Sequence, residues 1–135
     1  MTWEPYQVTT SDGWVETVFR VYDASKLDQA RAPVYLMHGA GSAAQDWLFS
    51  WATELTDYGF ELWLGNSRGT AYSNTNVNDG SWANPEDRWD WSFAEQGTID
   101  IPAQLEKLLE VTGKEKAILG GYSQGTSALY YALAT

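Results

Sequence analysis

The sequence predicts an α/β fold with a mainly parallel sheet and an antiparallel hairpin at its N-terminal edge. Three observations support this prediction: polar and apolar residues that alternate around a tight-turn signal, three short apolar runs, and helix-compatible segments between those runs. Strands that alternate with helices form right-handed βαβ units, whose strands pair in parallel. With 135 residues, of which 44% are hydrophobic, the chain can bury one core. We therefore expect one folding unit, or part of one.

The hairpin is predicted over residues 6–22, where alternation continues on both sides of Ser11-Asp12-Gly13. The Asp-Gly pair supplies the positive φ that a tight turn requires. The first buried strand follows at residues 34–37, and it ends in the glycine-rich loop His38-Gly39-Ala40-Gly41.

One helix and a second strand are predicted next. The apolar residues of this helix share one face, and Gly59 stands where a C-terminal cap is needed. These residues are Trp47, Leu48, Trp51, Leu55 and Tyr58. Residues 60–64 give the second strand.

Residues 65–95 lack periodicity and predict a long ordered loop. A helix is then predicted from Asp100 to Gly113, with Asp100 and Pro102 in its first turn. Its inward residues are Ile101, Leu105, Leu108 and Leu109. The third apolar run covers residues 116–122, and residues 126–133 are helix-compatible.

The charge balance excludes several classes of partner. The net charge is −10 with only eight Lys and Arg, which disfavours nucleic acids and anionic membrane surfaces.

Cysteine is absent, so disulfides and thiolate metal sites are excluded. No stretch approaches the roughly 18 apolar residues of a membrane span, and the N-terminus has no signal-peptide features. We expect a soluble chain without a targeting signal of its own.

The strongest motif is Gly121-Tyr122-Ser123-Gln124-Gly125, a G-x-S-x-G pattern between an apolar strand and a helix. A serine in a strained strand-to-helix turn needs neighbours without bulk two positions before and after it. Gly121 and Gly125 meet this need, and the serine hydroxyl would project near the helix N-terminus, whose N–H groups favour a developing oxyanion. The alternative is an ordinary turn with two packing glycines and an idle serine.

The loop at residues 38–41 follows the first core strand, where the second half of an oxyanion hole is expected; the alternative is a simple glycine-rich turn. His38 is the only histidine and so the only candidate imidazole base. We expect it to have a local structural role, because in G-x-S-x-G hydrolases the acid and the histidine follow the serine in the chain.

Other polar and aromatic residues admit two interpretations each. Asn66 and Arg68 could support the oxyanion loop or an acyl-binding wall, but a buried polar pair that holds the loop together is favoured. Aromatic residues in the long loop could line a lipid-facing mouth or simply pack the loop. They are Trp82, Trp89 and Trp91. The cluster Glu86, Asp87 and Asp90 lacks the pattern of a calcium loop and predicts solvated charge, with no metal.

Over nearly its whole length the sequence resembles the acid lipases, the gastric and lysosomal lipase family of the α/β-hydrolase superfamily. The order and spacing of several segments carry the resemblance beyond the hairpin and the His38-Gly39 loop. These segments are residues 64–69 with Tyr72-Ser73, residues 89–93, residues 100–103 and residues 121–126.

The resemblance implies an α/β-hydrolase-type sheet with Ser123 as nucleophile and the backbone N–H groups of Gln124 and Ala40 as oxyanion donors. His38, Gly39, Gly121, Tyr122 and Gly125 would support the loop and the elbow. Family members hydrolyse carboxylic esters of lipids, such as triglycerides and cholesteryl esters, without a cofactor. The resemblance also implies a secreted or lysosomal setting and a role in lipid metabolism.

Three features depart from the family pattern. Ala40 replaces a bulky apolar residue, which alters the acyl pocket wall but keeps the backbone donor. Tyr122 replaces a histidine. The sequence ends twelve residues after Ser123, before the cap and the strands that carry the triad acid and histidine.

We therefore expect residues 1–135 to form the N-terminal portion of an α/β-hydrolase domain, cut off after the nucleophile helix, and to be a poor hydrolase alone. A half sheet exposes an apolar edge, so a partner chain, self-association or a longer polypeptide is expected to cover it. The alternative function is a non-catalytic remnant that acts as a structural subunit. A nucleotide-binding domain is set aside because neither G-x-G-x-x-G nor a P-loop motif is present.

Overall fold

The computed structural model of the chain describes residues 1–79 and 86–135, so Trp82 lies outside the described residues. The described strands are β1 (Thr2–Thr9), β2 (Trp14–Tyr22), β3 (Val34–Met37), β4 (Leu62–Gly65), β5 (Thr75–Asn76) and β6 (Ile118–Gly121). They form one sheet in the order β1-β2-β4-β3-β6, with β5 paired to β2.

Helices flank the sheet. The 3₁₀ helices are Ala44–Phe49, Trp51–Tyr58 and Asp87–Trp89. The α-helices are α1 (Phe93–Glu95), α2 (Ile101–Thr112) and α3 (Gln124–Ala134), and a π-helical turn, Gln96–Asp100, joins α1 to α2.

The N-terminal hairpin is confirmed. β1 and β2 pair antiparallel from Thr2 opposite Tyr22 to Thr9 opposite Val15. Gly13 closes the turn with a φ of +97°, a conformation that glycine adopts without steric cost.

The three central strands are parallel, as predicted. β3 is buried along its whole length and pairs with β4 on one side and β6 on the other. Met37 lies opposite both Gly65 and Gly121, so the carboxyl ends of the three strands are level. The loops that follow them therefore meet at one edge of the sheet.

The single helix predicted around Trp47 and Trp51 is wrong. Two 3₁₀ helices stand there, separated at Ser50, whose extended backbone (φ −114°, ψ 178°) breaks the helix and whose hydroxyl accepts a hydrogen bond from the Ala52 N–H. A 3₁₀ helix has three residues per turn, so residues four apart do not stay on one face. Of the predicted inward residues, Trp47 is buried and Leu55 partly buried, whereas the others are exposed: Leu48, Trp51 and Tyr58. Gly59 does cap the second 3₁₀ helix, with a φ of +87°.

The next helix begins earlier than predicted. Ser92 caps α1 in a capping box with Glu95, and the chain stays helical to Gly113, which ends α2 with a φ of +67°. Pro102 therefore lies inside a helical run, where its missing N–H and its ring normally break the hydrogen-bond pattern. The π-helical turn before it shifts that pattern, since the Ile101 N–H donates to the Gln96 carbonyl.

Two apolar clusters cover the two faces of the sheet. α2 and α3 pack on one face, with Ile101 and Leu108 fully buried and Leu105 and Leu109 partly buried. The first two 3₁₀ helices pack on the other. Among the described residues, no helix has the length and apolar content needed to cross a membrane.

Candidate active site at the carboxyl ends of the central strands

Ser123 occupies a strained turn between β6 and α3. Its φ of 52° and ψ of −122° make it the one non-glycine residue with a positive φ within residues 1–79 and 86–135. Such a conformation costs about 1–3 kcal/mol and is typical of functional sites. The side chain is exposed, and its hydroxyl makes no hydrogen bond to the described residues. This is the geometry that the G-x-S-x-G pattern predicts.

The two glycines of the motif permit close backbone contact. A Cβ at residue 121 would lie 2.7 Å from the Thr126 nitrogen. A Cβ at residue 125 would lie 2.5 Å from the carbonyl oxygens of both Met37 and His38. The second contact presses the start of α3 against the end of β3, so the elbow and the loop after β3 are held as one unit.

We call residues 38–43 the oxyanion loop, because this segment passes directly beside the elbow. A Cβ at Gly39 would lie 3.0 Å from the Tyr122 ring and 3.2 Å from the Ser123 Cβ. Ala40 is exposed, and Gln124 is the first residue of α3. Within the described residues, neither backbone N–H donates a hydrogen bond, so both are free to bind an oxyanion.

His38 is buried and held by its neighbours. Its Nδ1 lies 2.7 Å from the Gly39 carbonyl oxygen, and its Nε2 accepts a hydrogen bond of 3.1 Å from the Ser67 N–H. These contacts place the ring proton on Nδ1. Burial lowers the pKa of His38, which keeps the imidazole neutral. Both nitrogens thus serve the fold of the loop, which agrees with the local role expected for this histidine.

Asn66 holds the segment that follows the oxyanion loop. Its Oδ1 accepts a hydrogen bond of 2.9 Å from the Ala44 N–H, and its Nδ2 donates to the Thr17 carbonyl at 2.8 Å. Together with the Ser67 contact to His38, this means that two adjacent residues after β4 hold both ends of the loop.

Arg68 is buried as expected, although it pairs with two carboxylates rather than with Asn66. Its Nε and Nη2 donate to Asp100 at 2.9 and 2.7 Å, and its Nη1 donates to Asp12 at 2.6 Å. Burial lowers the pKa of Arg68, but the hydrogen bonds to both carboxylates outweigh burial and raise it. Burial likewise raises the pKa of Asp12, and the hydrogen bonds from Arg68 and Thr10 more than reverse this.

The sequence reasoning missed Glu16 and Gln104, two fully buried polar residues under this loop. A signal for each was present. Glu16 shares the inward face of β2 with Trp14, and Gln104 shares the inward face of α2 with Ile101 and lies one turn from it. A polar residue at an apolar position predicts a buried hydrogen-bond network.

A cavity of about 270 Å³ opens beside the elbow. Its lining includes polar residues such as His38 and Ser42 and the aromatic residues Trp47, Trp51 and Tyr122. Such a mixed lining can bind a ligand that has both apolar and polar parts.

The two described loop tryptophans lie side by side, with ring centroids 6.1 Å apart. Trp91 donates from its Nε1 to the Arg88 carbonyl and packs the loop, whereas Trp89 is exposed. Among the side chains that the structure describes, no group of three or more His, Asp or Glu is arranged to hold a metal ion.

Two family models match the chain. Residues 32–135 match the model described as "alpha/beta hydrolase fold", and residues 1–51 match the model described as "Partial alpha/beta-hydrolase lipase region". The first match covers the oxyanion loop, the elbow and all three central strands.

Several curated proteins are similar over nearly the whole chain. It is 37% identical to lipase lipl-3 of Caenorhabditis elegans over 93% of this chain and 33% of that protein. It is 36% identical to gastric triacylglycerol lipase of Mus musculus, and 35% identical to lipase member K of Homo sapiens, in each case over 98% of this chain and 35% of the relative. The chain thus spans about a third of the length of the relatives it matches.

Solved structures share the fold. An α/β hydrolase from Novosphingobium aromaticivorans superposes with a TM-score of 0.65 at 22% identity, over 98% of this chain and 39% of that one. Epoxide hydrolase A from Mycobacterium thermoresistibile superposes with a TM-score of 0.62 at 22% identity, over 97% of this chain and 34% of that one. At this identity the similarity concerns the fold alone.

Proposed function

The chain belongs to the α/β-hydrolase fold family and groups with its acid lipases, and on that premise we propose that Ser123 is the nucleophile of a lipid carboxylic-ester hydrolase. The observation that carries the proposal is the backbone of Ser123, whose positive φ stands within a G-x-S-x-G elbow against the oxyanion loop. Strained backbone conformations cluster at active sites and ligand-binding sites.

In the proposed reaction, the Ser123 Oγ attacks the ester carbonyl carbon and its proton passes to a general base. The carbonyl oxygen becomes an oxyanion, which the N–H groups of Ala40 and Gln124 stabilise by hydrogen bonds. Collapse of this intermediate breaks the bond to the alcohol, which leaves with the proton from the base. Water then attacks the acyl-serine and releases the carboxylic acid.

The general base and its acid partner come, in this proposal, from a segment outside residues 1–135. His38 does not serve, because its nitrogens are engaged with Gly39 and Ser67. We propose that the 135 residues form the N-terminal portion of a hydrolase domain. In the described sheet β6 pairs with β3 alone, and Ile118 on β6 is 47% exposed, so a further strand or a partner chain has room to pair there.

A second candidate function is a non-catalytic subunit. The exposed apolar side chains of α3, Tyr130 and Leu133, favour it, because such side chains can bind another chain. In that case the elbow would be retained for folding alone.

A fluorophosphonate probe separates the two functions. The natural polypeptide that carries these residues is incubated with the probe, and the modified residue is identified by mass spectrometry. The hydrolase proposal predicts one phosphonyl group on Ser123, loss of labelling in Ser123→Ala, and full labelling in Ser127→Ala, a matched serine four residues further along α3. Absence of labelling in a folded sample would favour the subunit.

The substrate class is tested on the same variants. Hydrolysis of p-nitrophenyl esters with acyl chains from two to sixteen carbons is compared with that of a water-soluble short ester. A lipid esterase prefers the longer chains, because the aromatic residues that line the cavity can bury apolar surface. Equal or falling rates with chain length would contradict the lipid assignment.

A further inference from the structure

Glu16 is a carboxyl group that the proposed reaction does not use. It lies on β2 and is fully buried, on the same face as the apolar Trp14 and Val18. Its Oε2 accepts a hydrogen bond of 2.7 Å from the Gln104 Nε2. Its Oε1 has no hydrogen-bond donor within residues 1–79 and 86–135. Burying an ionised carboxylate with an oxygen that accepts no hydrogen bond costs free energy. A protonated carboxyl carries no charge and has an O–H group that can donate a hydrogen bond.

The titratable and polar side chains that act on Glu16 come from four other segments, while β1 places the apolar Val8 opposite it. They are Asp100 on the π-helical turn, Arg68 on the loop after β4, Gln104 on α2 and Tyr35 on β3. Burial first, and then the charge and hydrogen bond of Asp100, raise the pKa of Glu16 well above its ordinary value. Gln104 and Arg68 act in the opposite direction and do not reverse this. Burial and the neighbouring Asp100 carboxylate thus both favour the protonated form of Glu16.

Hydrogen bonds connect Glu16, through Gln104 and Asn66, to Ala44, the residue that follows the oxyanion loop. Gln104 donates to Glu16 and also to the Asn66 carbonyl at 2.8 Å, while its Oε1 accepts from the Tyr35 hydroxyl at 2.9 Å. Asn66 in turn accepts from the Ala44 N–H, directly after the loop. Both donors and the acceptor of Gln104 are occupied, so its amide has one orientation.

We propose that Glu16, in its protonated form, is a positioning residue that holds the oxyanion loop through Gln104 and Asn66. The role of the loop in this statement rests on the proposed function; the linkage between Glu16 and Ala44 does not. Ionised Glu16 would place a second negative charge against Asp100, with Arg68 already shared between Asp100 and Asp12. Separation of the two carboxylates draws Gln104 away from Asn66 and loosens Ala44.

The sign of the pH effect follows from linkage. A group whose pKa is raised on folding contributes stability that is complete below its unfolded value, about 4.3 for Glu, and is lost as the pH rises through the folded value. The pKa of His38 is lowered on folding, so His38 makes stability fall as the pH drops below about 6.5. The pKa of Asp12 is also lowered, so Asp12 makes stability fall as the pH drops below about 4. Both contributions are the same in the wild type and in Glu16→Gln, so they cancel in the ratio of the two.

The decisive experiment measures hydrogen-exchange protection of the Ala44 amide between pH 4.5 and 9 in the wild type and in Glu16→Gln. Gln has nearly the same size as Glu, keeps an oxygen that can accept the hydrogen bond from Gln104, and does not titrate. Glu110→Gln, an exposed change on α2, is the matched control. We expect the ratio of wild-type to Glu16→Gln protection to fall with pH, by up to tenfold per unit, until Glu16 is ionised. A ratio that stays constant would overturn the proposal.

A titration of the wild type alone covers the case in which Glu16→Gln does not fold. The Glu16 carboxyl carbon is followed by NMR together with the Ala44 amide. We expect the chemical shifts of both groups to change with one shared midpoint pH, above the ordinary pKa of Glu. A midpoint at the ordinary pKa, or an Ala44 amide whose shift does not change at the Glu16 midpoint, would overturn the proposal.

Fluorophosphonate labelling of the same samples separates this proposal from the proposed function. A protection ratio that falls with pH, without labelling of Ser123, supports the connection between Glu16 and Ala44 and contradicts the hydrolase assignment. Labelling of Ser123 with a constant protection ratio does the reverse.

Discussion

The two sides of the candidate site are held in different ways. On the oxyanion side, residues 66–68 lie beneath the loop and are buried, and each is tied by hydrogen bonds to another element. On the nucleophile side, the elbow is held by backbone contact at Gly121 and Gly125, and α3 leaves apolar side chains exposed. Hydrogen bonds between buried polar groups thus fix the oxyanion side, whereas close backbone packing fixes the nucleophile side.

This difference predicts where substitutions will matter. A buried charge that loses its partner is left without water or counterion, which costs several kcal/mol. A tight backbone contact resists added atoms at a smaller cost, because some relaxation is possible. An exposed side chain contributes little to the stability of the chain itself.

The largest effect is expected for Arg68→Met. The substitution leaves Asp100 fully buried without its guanidinium partner, so the free energy of unfolding should fall by about 3–5 kcal/mol. Urea denaturation followed by tryptophan fluorescence measures this change. Arg31→Met is the control, because Arg31 pairs with Asp28 in an exposed position and should change stability by less than about 1 kcal/mol. Equal losses in the two variants would show that burial of the Arg68 network contributes nothing.

An intermediate effect is expected for Gly125→Ala. The new methyl group would lie 2.5 Å from two carbonyl oxygens at the end of β3, so the start of α3 must move at a cost of about 1–3 kcal/mol. Thermal unfolding measures the loss, and Ser127→Ala on the same helix serves as control. If Gly125→Ala were as stable as the wild type, Gly125 would not be in close contact with the carbonyl oxygens of Met37 and His38.

The smallest effect on stability is expected for the double variant Tyr130→Ser, Leu133→Ser. These side chains of α3 are 72% and 71% exposed, so the free energy of unfolding should change by less than about 0.5 kcal/mol. The mass measured by light scattering should fall toward that of a monomer, since exposed apolar patches drive association. Phe49→Ser, an exposed apolar residue on the first 3₁₀ helix, is the control. A large loss of stability would mean that the side chains of Tyr130 and Leu133 are packed within the chain.

The sequence predicted those parts of the fold that are coded locally. Asp12-Gly13 specifies the hairpin turn, and the apolar runs specify the three parallel strands. The helix errors have local causes as well. Ser50 interrupts a pattern that looks continuous by apolar spacing, and Pro102 suggested a helix start although Ser92 and Glu95 already form a capping box upstream.

The candidate site was predictable only in part. The motif indicated Ser123, Gln124 and the two glycines, because a strand-to-helix elbow constrains residues close in sequence. The polar network was not predictable in this way. Arg68 meets Asp12 across 56 positions and Asp100 across 32 positions, and Glu16 meets Gln104 across 88. Such pairs follow from the sheet order, which no single segment encodes.

The central claim is that Ser123 reacts with an ester carbonyl while the N–H groups of Ala40 and Gln124 hold the oxyanion. A crystal structure of the fluorophosphonate adduct tests it most directly, because the phosphonyl oxygen stands in for the oxyanion. We predict a bond from Ser123 Oγ to phosphorus, with that oxygen about 2.7–3.1 Å from both nitrogens. A phosphonyl oxygen that points away from both nitrogens, or an adduct on another residue, would contradict the account.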